Sequence, residues 1–214
     1  MTERHVVLGT GPLGLSVVQV LSERGERVRA VNRSGDAPVP DDVGLMQADL
    51  SVETQAQTAC ADASVVYFCV QPAYTDWPAL FPPLLEHVID AAADANARLV
   101  VAENCYMYGP TEGPLTEGLP YEATGQKGRT RAKMARSALH AHERGRVDVT
   151  IGRASDFYGP RVTVSAVGDR VFANALRGKP ITVIGNPDTL HTYTYIDDFA
   201  TALVTLGDHD EAMG

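Results

Sequence analysis

Near the N-terminus an apolar run, Val6-Val7-Leu8, passes directly into Gly9-Thr10-Gly11-Pro12-Leu13-Gly14. A chain that leaves a strand, bends sharply and enters a helix at once needs residues without a Cβ atom at the bend, and the three glycines supply them. Leu15, Val18 and Leu21 continue at helical spacing, so the motif has a strand before it and a helix after it. In such a turn the first glycine permits the bend, the second lets a pyrophosphate approach the main chain, and the third lets helix and strand pack closely. Gly9, Gly11 and Gly14, with Pro12 and Leu13 between them, therefore predict a dinucleotide site.

The end of the second strand refines the cofactor. An adenosine 2′-hydroxyl is usually held by an acid roughly 20 residues beyond the glycines, whereas a 2′-phosphate calls for arginine. Here the chain reads Val28-Arg29-Ala30-Val31-Asn32-Arg33-Ser34, with no acid after the strand. The reading is NADP, with NAD allowed: Asn32 lies in the same segment, Arg33 meets the adenine or the phosphate, and Ser34 donates a hydrogen bond.

Strand-like runs recur at 4–8, 27–32, 44–48, 64–70, 98–103 and 147–153, with helix-compatible stretches between several of them. The fourth, Val65-Val66-Tyr67-Phe68-Cys69-Val70, is apolar without alternation, as a parallel strand covered on both faces should be. The expectation is an α/β, Rossmann-type, doubly wound parallel sheet formed by residues 1–160, with a small C-terminal substrate region over 161–214 packed on it. There the pattern suggests a helix at 169–176, strands at 181–184 and 192–195, and a helix at 198–206. The stretch 108–128, rich in Gly, Pro, Thr and Glu, is the longest irregular segment and is expected to flank the active cleft.

With 18 basic and 27 acidic residues among 214, the formal charge of −9 argues against general binding to nucleic acid or anionic membranes. A small-molecule substrate fits better. No apolar run approaches a membrane span, nothing at the N-terminus resembles a signal peptide, and three cysteines suit a reducing, cytoplasmic setting. The histidines form no ligand cluster, so no metal is expected.

Taken in order, the glycine turn, Ala48-Asp49-Leu50, Glu103-Asn104-Cys105-Tyr106-Met107-Tyr108-Gly109, Arg153-Ala154-Ser155-Asp156-Phe157-Tyr158-Gly159-Pro160 and Tyr195-Ile196-Asp197-Asp198-Phe199-Ala200 resemble the extended short-chain dehydrogenase/reductases, the NAD(P)-dependent epimerase/dehydratase family. The resemblance implies that Asp49 and Leu50 contact adenine, and that Val70, Gln71 and Pro72 run beside the ribose and pyrophosphate. Asp49 could equally cap the next helix, and Pro72 could simply end a strand.

The family's catalytic positions are altered. Its Ser or Thr is Asn104 here, and its Tyr and Lys, four apart on the next helix, become Arg129 and Lys133 in one register or Lys127 and Arg131 in the other. Lys133 is the residue expected to hold the nicotinamide ribose, Asn104 to orient a carbonyl by its amide, and Tyr106 to donate a proton. That role requires the pKa of Tyr106 to fall from ~10, as a neighbouring cation can arrange. His191 stands where many relatives carry an arginine that grips a substrate phosphate, which weighs against a nucleotide-sugar substrate. Relatives normally continue beyond the last helix, so the chain is expected to be either a reduced version or a fragment, with a partner subunit, as in a homodimer, able to complete the cleft. Two functions follow: an NADP-dependent oxidoreductase or epimerase-like enzyme for a small carbonyl or hydroxyl substrate, or a noncatalytic NADP-binding sensor or scaffold.

Overall fold

The computed structural model describes residues 4–182, 186 and 188–214. Six strands, β1 (Arg4–Leu8), β2 (Arg27–Asn32), β3 (Gly44–Gln47), β4 (Val65–Phe68), β5 (Arg98–Asn104) and β6 (Val149–Ala154), form one sheet in the order β3-β2-β1-β4-β5-β6. Every pairing is parallel. The connecting helices are α1 (Pro12–Glu23), α2 (Glu53–Cys60), α3 (Trp77–Asp94) and α4 (Gln126–Glu143). Beyond β6 come β7 (Asp156–Tyr158), α5 (Asp169–Leu176), β8 (Tyr193–Tyr195) and α6 (Ile196–Asp208), with β7 and β8 pairing in a small parallel sheet.

The unbroken apolar character of β4 has the expected cause. Val66 and Phe68 enter the core that faces α2, α3 and α4, while Val65 and Tyr67 enter the opposite core under α1 and α6. Both faces are covered, so neither can be polar. Chain order reverses between β1 and β4, and the crevice beyond the carboxyl ends of these neighbours is where open α/β sheets bind ligands.

Some element ends differ from the sequence pattern. Cys69 and Val70 lie beyond β4, where they pack against the glycine turn, and Val147 precedes β6. The last helix begins at Ile196, two residues earlier than the apolar spacing suggests, because extended Tyr195 is its N-cap. Helix 169–176 has the predicted ends. Residues 181 and 182 are not in a strand, and the rest of that expected strand lies outside the described residues. Among the described residues no helix is long and apolar enough to cross a membrane.

Candidate functional site

The glycines divide the work of the first turn. Gly9 has φ +96°, and a Cβ there would lie 2.9 Å from the carbonyl oxygen of Cys69. A Cβ on Gly14 would lie 1.8 Å from the carbonyl oxygen of Gly9, so the helix can approach the strand only as glycine. Gly11, by contrast, has nothing within 4 Å of its missing Cβ. It is the N-cap of α1 and provides no side-chain cap, while Pro12 at the first helical position has no N–H to satisfy. The N–H groups of Leu13 and Gly14 thus remain for an anion, at the positive end of the helix dipole. These residues fit a pyrophosphate.

At the end of β2 the structure assigns different tasks to three neighbours. Asn32 Nδ2 donates to Thr10 Oγ1 at 2.7 Å, and its Oδ1 accepts from Gly35 N at 2.6 Å, which ties this loop to the glycine turn. Ser34 Oγ is within hydrogen-bond distance of Asn32 Oδ1 and of the Asp36 carbonyl. Its donor therefore serves the turn, a correction to the expectation that it serves a phosphate. Arg33 is exposed; its carbonyl accepts from Gln47 Nε2, and its charge acts on the nearby Asp49 carboxylate. Asp49 Oδ1 accepts from both the backbone and the hydroxyl of Ser51, at 2.9 and 2.7 Å, which holds its carboxyl below the usual range. Asp49 does not cap α2, whose N-cap is Val52 with no side-chain cap bond; its carboxylate closes a turn onto Ser51 ahead of that helix. Leu50 is buried, and its carbonyl meets His87 Nδ1 at 3.1 Å. Pro72 also ends up in a structural contact, its carbonyl accepting from Trp77 Nε1.

Across the glycine turn, over β4 and β5, the register of α4 decides the chemistry. Gly128, Arg131, Ala132, Ala135 and Ala138 form its buried stripe, and the carbonyl of Tyr106 packs where a Cβ on Gly128 would be. Arg131 points inward. Its Nη1 lies 3.3 Å from Glu103 Oε2, its Nη2 donates to Gln71 Oε1 at 2.9 Å, and the guanidinium lies against the rings of Trp77 and Phe81 at 4.1 and 4.2 Å. Burial pushes the Glu103 carboxyl up and the Arg131 guanidinium down, the opposite charge opposing each shift. Lys127, one turn earlier on this face, lies 4.1 Å from the centre of the Tyr74 ring.

Lys133 is accordingly corrected. It is exposed, and it shares a hollow on α4 with Arg136, Leu139 and His140, because its position falls between the inward residues of the helix. Substitution Lys133→Ala is expected to leave dinucleotide affinity unchanged in a calorimetric titration. A loss of affinity would return Lys133 to the site.

Tyr106 is corrected in a second way. Its pKa is pushed up to about 12, first by burial and then by Tyr74, with Arg131 opposing weakly. At neutral pH it is a phenol able to donate a hydrogen bond, and it cannot be the base. Asn104 Oδ1 accepts from the Tyr106 backbone N–H at 3.0 Å, leaving the Nδ2 amide as the end that can donate to a carbonyl. Next to them Cys105, Tyr106, Gly109, Ala123, Thr124 and Gly128 line a hollow of about 350 Å³. Part of the irregular stretch lines this hollow, and the last three residues of 108–128 already belong to the first turn of α4. Tyr108 and Tyr121 are fixed behind by Arg153, whose guanidinium donates to both hydroxyls.

The C-terminal motifs serve as ties. Asp197 Oδ1 accepts from Ser16 Oγ at 2.6 Å, and Arg161 Nη2 donates to the same hydroxyl, joining α6 and the loop after β7 to α1. His191 Nε2 lies 3.0 Å from Asp156 Oδ2.

Residues 6–214 match the family model described as NAD dependent epimerase/dehydratase family. No curated protein matches the chain. Among solved structures it is similar to UDP-N-acetylglucosamine 4-epimerase from Bacillus cereus, at 18% identity and a TM-score of 0.83, covering 100% of this chain and 74% of that one. UDP-glucuronic acid 4-epimerase from the same organism, in complex with UDP-glucuronic acid and NAD, gives 20%, 0.81, 98% and 74%. MoeE5 in complex with UDP-glucose and NAD gives 24%, 0.77, 94% and 70%. Identity this low speaks for a shared fold.

Proposed function

The chain belongs to the NAD dependent epimerase/dehydratase family, and from that footing we propose that it is an NADP-dependent oxidoreductase or epimerase-like enzyme acting on a small carbonyl or hydroxyl compound. The observation that carries this reading is the uncapped start of α1 beneath open space at Gly11, at the switch point of the sheet. Gly9, Gly11, Pro12, Leu13 and Gly14 would hold the pyrophosphate, Arg33 the 2′-phosphate, and the segment after β4 the second ribose. Bound there, the nicotinamide would supply or take up a hydride. The chain itself contributes the Asn104 amide as an orienting donor, the Tyr106 phenol as a second donor, and the Lys127 ammonium at the mouth of α4.

NADP is preferred over the NAD of the similar structures because Arg33 is an exposed cation in a loop where Asn32 and Ser34 are already engaged. A charge-assisted contact of this kind is worth about 1.5–3 kcal/mol. Arg33→Ala should therefore weaken NADP roughly tenfold or more while leaving NAD nearly unchanged, measured by titrating both. Tighter binding of NAD by the parent chain would refute the preference. A nucleotide sugar is disfavoured because Asp156 and its partner His191 stand where a phosphate-gripping arginine would be useful. Turnover is tested by following NADPH absorbance with a panel of aldehydes, ketones and keto-sugars.

A second reading has its own observation. In the register that sets Lys127 and Arg131 at the family's Tyr and Lys positions, Arg131 is committed to Glu103, and Tyr106 is no base. A chain that binds NADP and turns over nothing in the panel would be a sensor or scaffold.

A further inference from the structure

Beside the hollow lined by Cys105, Tyr106, Ala123 and Thr124, two tyrosines stand half out of the surface: Tyr74 is 45% and Tyr106 41% exposed. Neither is loosely held. Both lie against the fully buried Trp77, with ring centres 4.7 and 6.1 Å from its own, and the Trp77 indole N–H donates to the Pro72 carbonyl at 3.1 Å. Tyr106 is further fixed at its backbone, by Asn104 Oδ1 on its N–H and by Gly128 of α4 against its carbonyl. Aromatic surface exposed on so rigid a backing offers a stacking partner at little entropic cost.

Lys127 adds a charge to this wall. Its ammonium lies 4.1 Å from the centre of the Tyr74 ring, and it has no ion pair among the described residues. Arg131, the next cation on this face of α4, is engaged by Glu103. Asp156 also acts on Tyr106, and its partner is His191 at 3.0 Å, so an anion is repelled from the β7 end and drawn to Lys127. A benzene ring fits a cavity of roughly 150 Å³, and the hollow of about 350 Å³ leaves space for substituents as well. We propose that this hollow binds a planar aromatic anion, with its ring against Tyr106 and Tyr74 and its carboxylate at the Lys127 ammonium. The proposal rests on the function given above for the role of that compound as substrate: an aromatic acid that also bears a carbonyl, turned toward the Asn104 amide.

The test is calorimetry on the full chain with three matched ketones: 4-acetylbenzoate, 4-acetylbenzamide, which lacks the charge, and 4-acetylcyclohexanecarboxylate, which lacks the aromatic ring. 4-Acetylbenzoate should bind roughly five- to tenfold tighter than either companion, with NADP⁺ present or absent. Lys127→Met should abolish its advantage over the amide, and Lys127→Arg should keep it. Tyr74→Leu and Tyr106→Leu should each narrow its advantage over the saturated acid and leave the contribution of the charge in place. Equal affinity for the three probes, a ranking that persists in the variants, or no binding of any probe overturns the proposal. So does displacement of 4-acetylbenzoate by NADP⁺, because the ring would then be sitting in the nicotinamide's place. Titration of NADP⁺ and NAD⁺ into the parent decides the dinucleotide reading separately: a chain that ranks the probes as stated and binds neither dinucleotide keeps its aromatic-anion site and loses the enzymatic role.

Discussion

Arg131→Met is expected to lower the stability of the chain by about 3–5 kcal/mol at neutral pH, because it leaves the Glu103 carboxylate buried without its counter-charge. For a chain of this size that is a fall in Tm of roughly 10 °C. The side chain of Glu103 is 0% exposed, and its Oε1 has no hydrogen-bond partner among the described residues. The pH dependence has a definite sign. Burial already raises the folded-state pKa of Glu103, and removing Arg131 takes away the charge that opposes the rise. A carboxyl with a raised folded pKa favours the native state at pH below its unfolded value and loses that contribution as pH climbs through the folded one. The deficit of the variant should therefore shrink on acidification. Adding Glu103→Gln to the same chain should restore much of the stability at neutral pH. Thermal melts across pH decide the matter, and a single variant that melts within about 2 °C of the parent at neutral pH would show that the pair is not the keystone argued for.

Gly14→Ala should cost NADP at least ~100-fold in affinity, about 2.7 kcal/mol. Its Cβ would be 1.8 Å from the carbonyl oxygen of Gly9, a distance at which one backbone segment has to move. The turn that presents the N–H groups of Leu13 and Gly14 cannot keep its shape after that movement. Gly11→Ala is the matched comparison, because nothing lies near its Cβ. It should melt like the parent and still bind poorly, since the methyl occupies the path of the phosphates, whereas Gly14→Ala should lose both stability and binding. Calorimetry and melting on the two variants separate packing from ligand approach. Full affinity in Gly11→Ala would move the pyrophosphate elsewhere.

The sheet was readable from residues because its strands carry local signals that tertiary packing reinforces. Continuous apolar character in β4, glycines at the β1–α1 bend and a strand ending at Asn32 each reflect a constraint acting within a few residues. The site beyond β5 was harder. Two registers for the altered Tyr and Lys pair are equivalent as spacings, and the choice of Lys133 kept a lysine where the family has one. The discriminating signal lay along α4: Gly128, Ala132, Ala135 and Ala138 are small residues at helical spacing, and they place Arg131 inward and Lys133 outward. Glu103 was a second clue, since an acid at the end of an apolar strand needs a buried cation. The pKa of Tyr106 could not have been inferred, because it depends on Tyr74, more than thirty residues away in sequence and brought near by α3. Ser34 likewise looked available only because the turn made by Asn32, Gly35 and Asp36 is a matter of backbone geometry.

The close fit of Gly9 against the carbonyl of Cys69 has a consequence for how the molecule comes into being. One wall of the phosphate turn is made by residues 9–14, but the wall opposite is made some sixty residues later in the chain, after β2 and β3 have been laid on the far side of β1. Parallel pairing over such a separation is slow compared with the closing of a local turn. A nascent chain that has exposed only its first three strands already holds every glycine of the motif and only half of the cradle. Capture of the proposed dinucleotide would therefore report that the middle of the sheet has been zipped, and such a ligand would stabilise the finished fold without guiding its first steps.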